Sequence, residues 1–201
     1  MIITLKDGSK KEYAQAMSII DIARDISEGL ARVACAGEVN GETEDLRTVI
    51  DKDCELNILT AKDEAGLAAL RHTASHVMAQ AIKRLYPSAK LAIGPSIADG
   101  FYYDIDFETP ITAEDLEKIE EEPYKVELIE DLPEGEEISF YKQGEFTDLC
   151  AGPHLMNTKE VGKAYKLTSI AGAYWRGNEH NKMLTRIYAT AFAKKEELEA
   201  Y

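Results

Sequence analysis

The chain of 201 residues is long enough to bury one substantial core or two small ones. Hydrophobic residues make up 45% and charged residues 30%, as in soluble globular proteins, and no apolar run approaches the ~18 residues of a membrane-spanning helix. The net charge of -14 speaks against nucleic acid only on average: residues 104–148 hold 17 Asp/Glu and 3 Lys, whereas residues 159–195 carry 8 Lys/Arg against 2 Glu, so the C-terminal quarter either faces phosphates or is one of two solvated faces.

The chain opens without the basic and apolar stretches of a signal peptide. Ile2–Leu5 and the region of Tyr13 read as short strands around the turn Asp7-Gly8. Ser18-Ile19-Ile20-Asp21 is a capping box that opens a helix with Ile19, Ile20, Ala23, Ile26 and Leu30 on its apolar side, and Gly29 is placed to help stop it. Val33–Val39 is a strand, Asn40-Gly41 a hairpin turn, and Leu56–Leu59 a closing strand. These elements predict a compact mixed sheet crossed by one helix over residues 1–61. A polar linker, Ala61–Gly66, leads to a helix over 67–86 that Pro87 ends. Gly94-Pro95 marks a turn, and Phe101–Phe107 alternates as a strand. Thr112–Asp115 caps a second amphipathic helix, cut off at Glu122-Pro123 after barely three turns. Val126–Ile129, Ile138–Tyr141 and Met183–Phe192 read as strands, and the small residues of Ala171–Gly177 as a loop around Tyr174 and Trp175. Residues 194–201 begin a helix. The expected fold class is α+β.

Two groups carry chemistry. His72 and His76 are four apart on the long helix and share a face opposite the stripe of Leu67, Leu70, Ala74, Val77, Ala81 and Leu85. Cys150-Ala151-Gly152-Pro153-His154 bends tightly enough to bring its thiol and imidazole together. With three of the four histidines and one cysteine, the set fits a tetrahedral zinc site and equally a proton-transfer site. The helix motif His-Thr-Ala-Ser-His lacks the Glu of a zinc-protease helix, so a peptidase is disfavoured. Asp148 and Lys125 are candidates to orient a base and to stabilise an oxyanion, but spacing alone places neither. Tyr102, Tyr103, Tyr174 and Trp175 read as core or as ligand contacts. An odd count of three cysteines gives no disulfide framework, and the expected compartment is a reducing cytoplasm.

The stretches HTASHVMAQA (72–81), AIGPSIADGFYYDID (92–106), DLCAGPHL (148–155) and AGAYWRGNEHNKMLTRIYATAF (171–192) resemble, in this order, the N-terminal half of bacterial-type threonyl-tRNA synthetase. The resemblance implies a ubiquitin-like β-grasp TGS module over 1–61, an editing domain over 62–193 with a long helix packed on an antiparallel sheet, and the start of a linker helix over 194–201. It implies proofreading: hydrolysis of the ester that joins mischarged serine to threonine tRNA. Serine lacks one methyl of threonine, worth only ~1–3 kcal/mol in a binding site, so a second sieve is needed. The resemblance places His72, His76, Tyr103, Lys125, Asp148, Cys150 and His154 in the editing pocket. It gives His72, His76 and Lys125 the catalytic roles, Tyr103, Asp148, Cys150 and His154 the substrate contacts, and requires no cofactor; zinc on His72, His76, Cys150 and His154 is the alternative. The aminoacylation core is missing from the resemblance, so no activation of threonine with ATP is expected. Full-length family members are expected to be dimers, this chain a monomer, and no membrane partner is implied. Two other functions fit the sequence: a non-catalytic nucleotide- or RNA-binding module, and a zinc-stabilised structural domain. In the family, a further helical stretch, a strand and another helix separate the counterparts of Glu122 and Pro123, so a few tens of residues are expected to be absent at that junction.

Overall fold

The computed structural model describes residues 1–121, 140–143, 146–150, 152–162 and 164–201. The sequence expectations for Val126–Ile129, for residues 138–139 and for the Glu122-Pro123 junction lie outside the described residues. The chain runs β1 (Ile2–Leu5), β2 (Lys10–Glu12), β3 (Met17–Ser18), α1 (Ile19–Ile26), α2 (Glu28–Val33), β4 (Ala34–Val39), β5 (Glu42–Glu44), β6 (Val49–Ile50) and β7 (Cys54–Thr60). It continues with α3 (Glu64–Leu85), β8 (Lys90–Leu91), β9 (Ser96–Ile97), β10 (Gly100–Asp106), α4 (Ala113–Glu121), β11 (Phe140–Gln143), β12 (Phe146–Leu149), β13 (Tyr165–Tyr174), β14 (Met183–Ala191) and α5 (Lys195–Ala200). Short 3-10 turns at Thr158–Val161 and Trp175–Gly177 flank β13.

The first sheet has the order β2-β1-β7-β4-β5, with β1 and β7 parallel and the other pairs antiparallel. This is the ubiquitin-like β-grasp arrangement that the resemblance implies. Asn40 and Gly41 both take positive φ, 50° and 89°, which lets two residues close the β4–β5 hairpin. One sequence expectation is corrected here: the helix does not run on to Leu30. Ser27 adopts an extended backbone, bonds the carbonyl of Ala23, and caps a new helix by accepting the Leu30 N–H at 3.0 Å, so Gly29 lies inside α2. Ile3, Ile19, Ile22, Leu46 and Leu56 are fully enclosed and form the first core.

The second sheet is antiparallel, ordered β13-β14-β10-β8, with β9 also paired to β10. The Ala171–Gly177 loop expectation is also corrected: residues 171–174 belong to β13, which pairs with β14 through Tyr174. The long helix starts earlier than expected, at Glu64, so the linker shrinks to Ala61–Asp63. Helix α3 packs between the two sheets, touching β4 and β7 on one side and β10, β9 and β14 on the other. From Ala69 to Ile82 every residue except His72 is buried. The apolar stripe explains only part of that. Arg71, Thr73, Ser75 and Gln80 are buried as well, and Arg71 donates to the carbonyls of Ala191 and Ala98, so its charge is not left without acceptors. Phe101, Ile105, Ile187, Met78 and Ile82 form the second core, to which Cys35, Ala36 and Leu59 of the first sheet also contribute.

Candidate functional site

The two histidines of α3 do point away from its apolar stripe, yet that side is covered. His76 is only 6% exposed and His72 is half-buried, because Asp148, Cys150 and His154 lie against them there. The Cys150 thiol comes to 2.8 Å of His72 Nε2, and His72 Nε2 lies 3.2 Å from His76 Nε2. The His154 imidazole stands edge-on to both rings, with centroids at 4.6 Å from His72 and 4.5 Å from His76. Gly152, at φ 69°, turns its N–H back to the Cys150 sulfur at 3.4 Å.

The sheet strands complete the cluster. Tyr103 on β10 donates its hydroxyl hydrogen to Asp148 Oδ2 at 2.5 Å. The same oxygen of Asp148, on β12, lies 3.1 Å from His76 Nδ1, a pairing distance without the alignment of a hydrogen bond. Gly94 makes room for the Tyr103 ring: a methyl group there would sit 2.2 Å from Tyr103 Cδ2. The Gly94 carbonyl in turn accepts from Ser75, whose hydroxyl also bonds the His72 carbonyl, both at 2.8 Å. Six of the seven residues expected in the site therefore stand together: His72, His76, Tyr103, Asp148, Cys150 and His154. Lys125 lies outside the described residues.

The electrostatics separate these groups. Burial pushes the Cys150 thiol up, but the hydrogen-bonding histidines His72 and His76 outweigh it and bring the thiol down to about 6. Burial works against the charged form of His76, and the Asp148 carboxylate and Cys150 thiolate overcome it, so its pKa is raised. His154 is held neutral, first by burial and then by the positive charge of its histidine neighbours. Burial and the Asp148 carboxylate keep the Tyr103 hydroxyl protonated. The arrangement is a thiolate beside two imidazoles, with a carboxylate backing one of them.

His72, His76, Cys150 and His154 each offer one donor atom, all within 4.8 Å of one another. Tetrahedral zinc, with Zn–N near 2.0–2.1 Å and Zn–S near 2.3 Å, needs donors a little closer than that, and a thiolate with neutral imidazoles is a suitable donor set. The four side chains fit such an ion.

Two further residues grip the site, and nothing in the sequence pointed to them. Asp45 Oδ2 accepts the His154 backbone N–H at 3.0 Å, and Arg47 Nη2 donates to the Leu155 carbonyl at 3.2 Å. A local Asp-Leu-Arg turn carries no motif, so only the folded chain reveals the contact.

Comparison with known families agrees with this anatomy. Residues 1–60 match the TGS domain, and residues 138–188 match the threonyl and alanyl tRNA synthetase second additional domain. The chain thus joins a TGS domain to the second additional domain of these synthetases. Its relatives narrow the class further. The threonine–tRNA ligase of Acetivibrio thermocellus is 58% identical over 229 residues, and that of Clostridioides difficile 55% over 229; each match covers 99% of this chain and 36% of the relative. The Caldanaerobacter subterraneus threonine–tRNA ligase is 52% identical over 231 residues, covering 100% and 36%. The chain is homologous to threonine–tRNA ligases along its whole length and spans about a third of theirs. These matches run over 229 to 231 positions against 201 residues here, so the relatives hold some tens of residues that this chain lacks. Among the described residues no helix is long and apolar enough to cross a membrane.

Proposed function

We propose that this chain hydrolyses the ester linking mischarged serine to the terminal ribose of threonine tRNA, acting as the proofreading part of a threonine–tRNA ligase. The observation that carries the reading is the convergence of His72, His76, Cys150 and His154 with the Tyr103–Asp148 pair, in a domain matched to the synthetases' second additional domain. His72 is the more accessible histidine of the α3 pair, so it orients and deprotonates the attacking water. His76, 3.2 Å away between the two Nε2 atoms and 3.1 Å from Asp148 Oδ2, holds the His72 ring in place. A bond forms from the water oxygen to the ester carbon, and the bond from that carbon to the ribose oxygen breaks. The proton taken from water is returned to the ribose oxygen, leaving free serine and an uncharged tRNA end. Lys125 supplies a hydrogen bond to the developing oxyanion, while the Tyr103 hydroxyl, kept protonated, donates to Asp148 and orients that carboxylate toward the substrate. Asp148 and the neutral His154 contact the serine ammonium and hydroxyl. Cys150 lines the pocket as a thiolate and forms no acyl intermediate.

The reading requires no metal. Zinc, when bound, would be held by His72, His76, Cys150 and His154 and would supply a Lewis acid and a water of lowered pKa. The test is release of labelled serine from charged threonine tRNA, in the presence of a chelator, by the wild-type chain and by His72→Ala. Loss of general-base catalysis predicts a fall of about 10²–10⁴-fold. Unchanged release would overturn the role of His72, and release that vanishes on chelation would establish the zinc site instead.

A further inference from the structure

The segment that carries Cys150 and His154 has no sheet of its own to hold it. Residues 152–155 are irregular, yet His154 is 1% exposed and Leu155 is fully buried, so their backbone groups must find partners inside the protein. They find them on two sides. The Leu155 N–H donates to Thr73 Oγ1 of α3 at 2.9 Å. The His154 N–H and the Leu155 carbonyl are taken by Asp45 and Arg47 of the TGS module, at 3.0 and 3.2 Å.

The TGS side of this clamp is tied together by its own hydrogen bonds. Asp45 Oδ1 accepts from both the backbone N–H and the Nη1 of Arg47, each at 2.9 Å, which fixes the carboxylate and the guanidinium against each other. The Thr48 N–H closes the turn on the Asp45 carbonyl at 3.0 Å. Leu46, between the two, is fully buried in the first core and anchors the turn there. Both charged side chains are mostly shielded, 15% and 21% exposed, where a hydrogen bond to a charged group is strong.

We propose that Asp45 and Arg47 are positioning residues for the site: the TGS module, through them, sets the backbone at His154 and Leu155 and thereby the imidazole that stands edge-on to His72 and His76. The proposal rests on the hydrolytic reading above and deepens it, because it makes the TGS module part of what shapes the pocket. Neither residue touches the reacting atoms. Both act through the backbone of the loop.

The experiment uses the full chain with Asp45→Ala, Asp45→Asn and Arg47→Met. Serine release from charged threonine tRNA is followed at varied tRNA concentration, and backbone hydrogen exchange is followed at His154. Loss of one charge-assisted hydrogen bond to a shielded group predicts that Asp45→Ala lowers kcat about 10- to 100-fold with KM little changed. Exchange at His154 accelerates in the same variant. Asp45→Asn, which keeps one acceptor oxygen for the His154 N–H but turns its amide NH2 toward the Arg47 donors, recovers part of the rate, and Arg47→Met loses less than Asp45→Ala. Were Asp45→Ala simply to unfold, its melting curve would show it, and the Asn and Met variants still decide. An active wild type with unchanged kcat and unchanged His154 exchange in Asp45→Ala and Arg47→Met overturns the clamp. An inactive wild type overturns the hydrolytic reading instead, and the exchange measurement still judges the clamp by itself.

Discussion

Removal of the His72 imidazole should raise the Cys150 pKa, and the size of that change follows from the geometry. The thiol sits 2.8 Å from His72 Nε2 and is brought to about 6 against burial, by His72 and His76 together. At pH 7 roughly 90% of such a thiol is ionised, against about 1% of one titrating near 9. His72→Ala leaves His76 as the remaining histidine donor, so the midpoint should climb by about 1–2 units. The assay is thiolate absorbance at 240 nm between pH 4 and 9, checked by alkylation and mass mapping. The other two thiols titrate above Cys150: burial, with Glu160 nearby, pushes Cys35 up to about 12, and burial, with Asp53, raises Cys54 above its ordinary value, so alkylation mapping assigns the low-pH step to Cys150. A folded-state pKa lowered from 9.0 contributes stability that is complete above pH 9 and lost as pH falls through about 6. The stability deficit of Cys150→Ser should therefore be largest near pH 9 and fade below 6. A wild-type thiolate midpoint above 8, or the same midpoint in His72→Ala, would refute the reasoning.

Glu160 tests the packing between the modules. It lies with Cys35, Leu70 and Leu155 around a cavity of about 530 Å³, and burial pushes its carboxyl up to about 7, with Arg47 pulling the other way. A carboxyl raised from 4.5 leaves stability intact below pH 4.5 and costs stability as pH rises through about 7. Glu160→Gln should therefore be more stable than wild type by about 1–2 kcal/mol at pH 8, after discounting for partial exposure, and no more stable at pH 4.5. Urea unfolding at the two pH values checks it. Gly94→Ala should drive a methyl group into the Tyr103 ring, 2.2 Å from Cδ2, and lower stability by about 1–3 kcal/mol. Because the ring cannot keep its place, serine release should fall with it, whereas Tyr103→Phe should lose the Asp148 hydrogen bond and spare the packing. Urea melts and serine release on both variants separate the two effects.

Local chemistry made some parts of the molecule legible in the sequence and left others hidden. The Ser18 and Thr112 caps and the Asn40-Gly41 turn are short-range signals, and each stands where expected. The break at Ser27 was hidden because the apolar spacing continues across it into α2. Residues 171–174 of β13 look like loop in the sequence because β13 is the edge of its sheet; residues 171 and 172 are exposed and show no alternation. His72 and His76 could be paired from helical spacing, and Cys150 with His154 from the bend at Gly152-Pro153. Tyr103 and Asp148 could not be placed by spacing, because they come from separate strands, β10 and β12, that only the tertiary fold brings to 2.5 Å. Their place in the pocket was implied by the family resemblance alone. Asp45 and Arg47, more than a hundred residues before the loop they hold, had no signal at all.

The central claim is most directly tested by measuring, side by side, release of serine and of threonine from charged threonine tRNA by this chain. Fast release of serine with threonine left in place is the result expected of a pocket that admits the smaller side chain and excludes the extra methyl. No release of either from the folded chain, or equal release of both, would contradict the proofreading account.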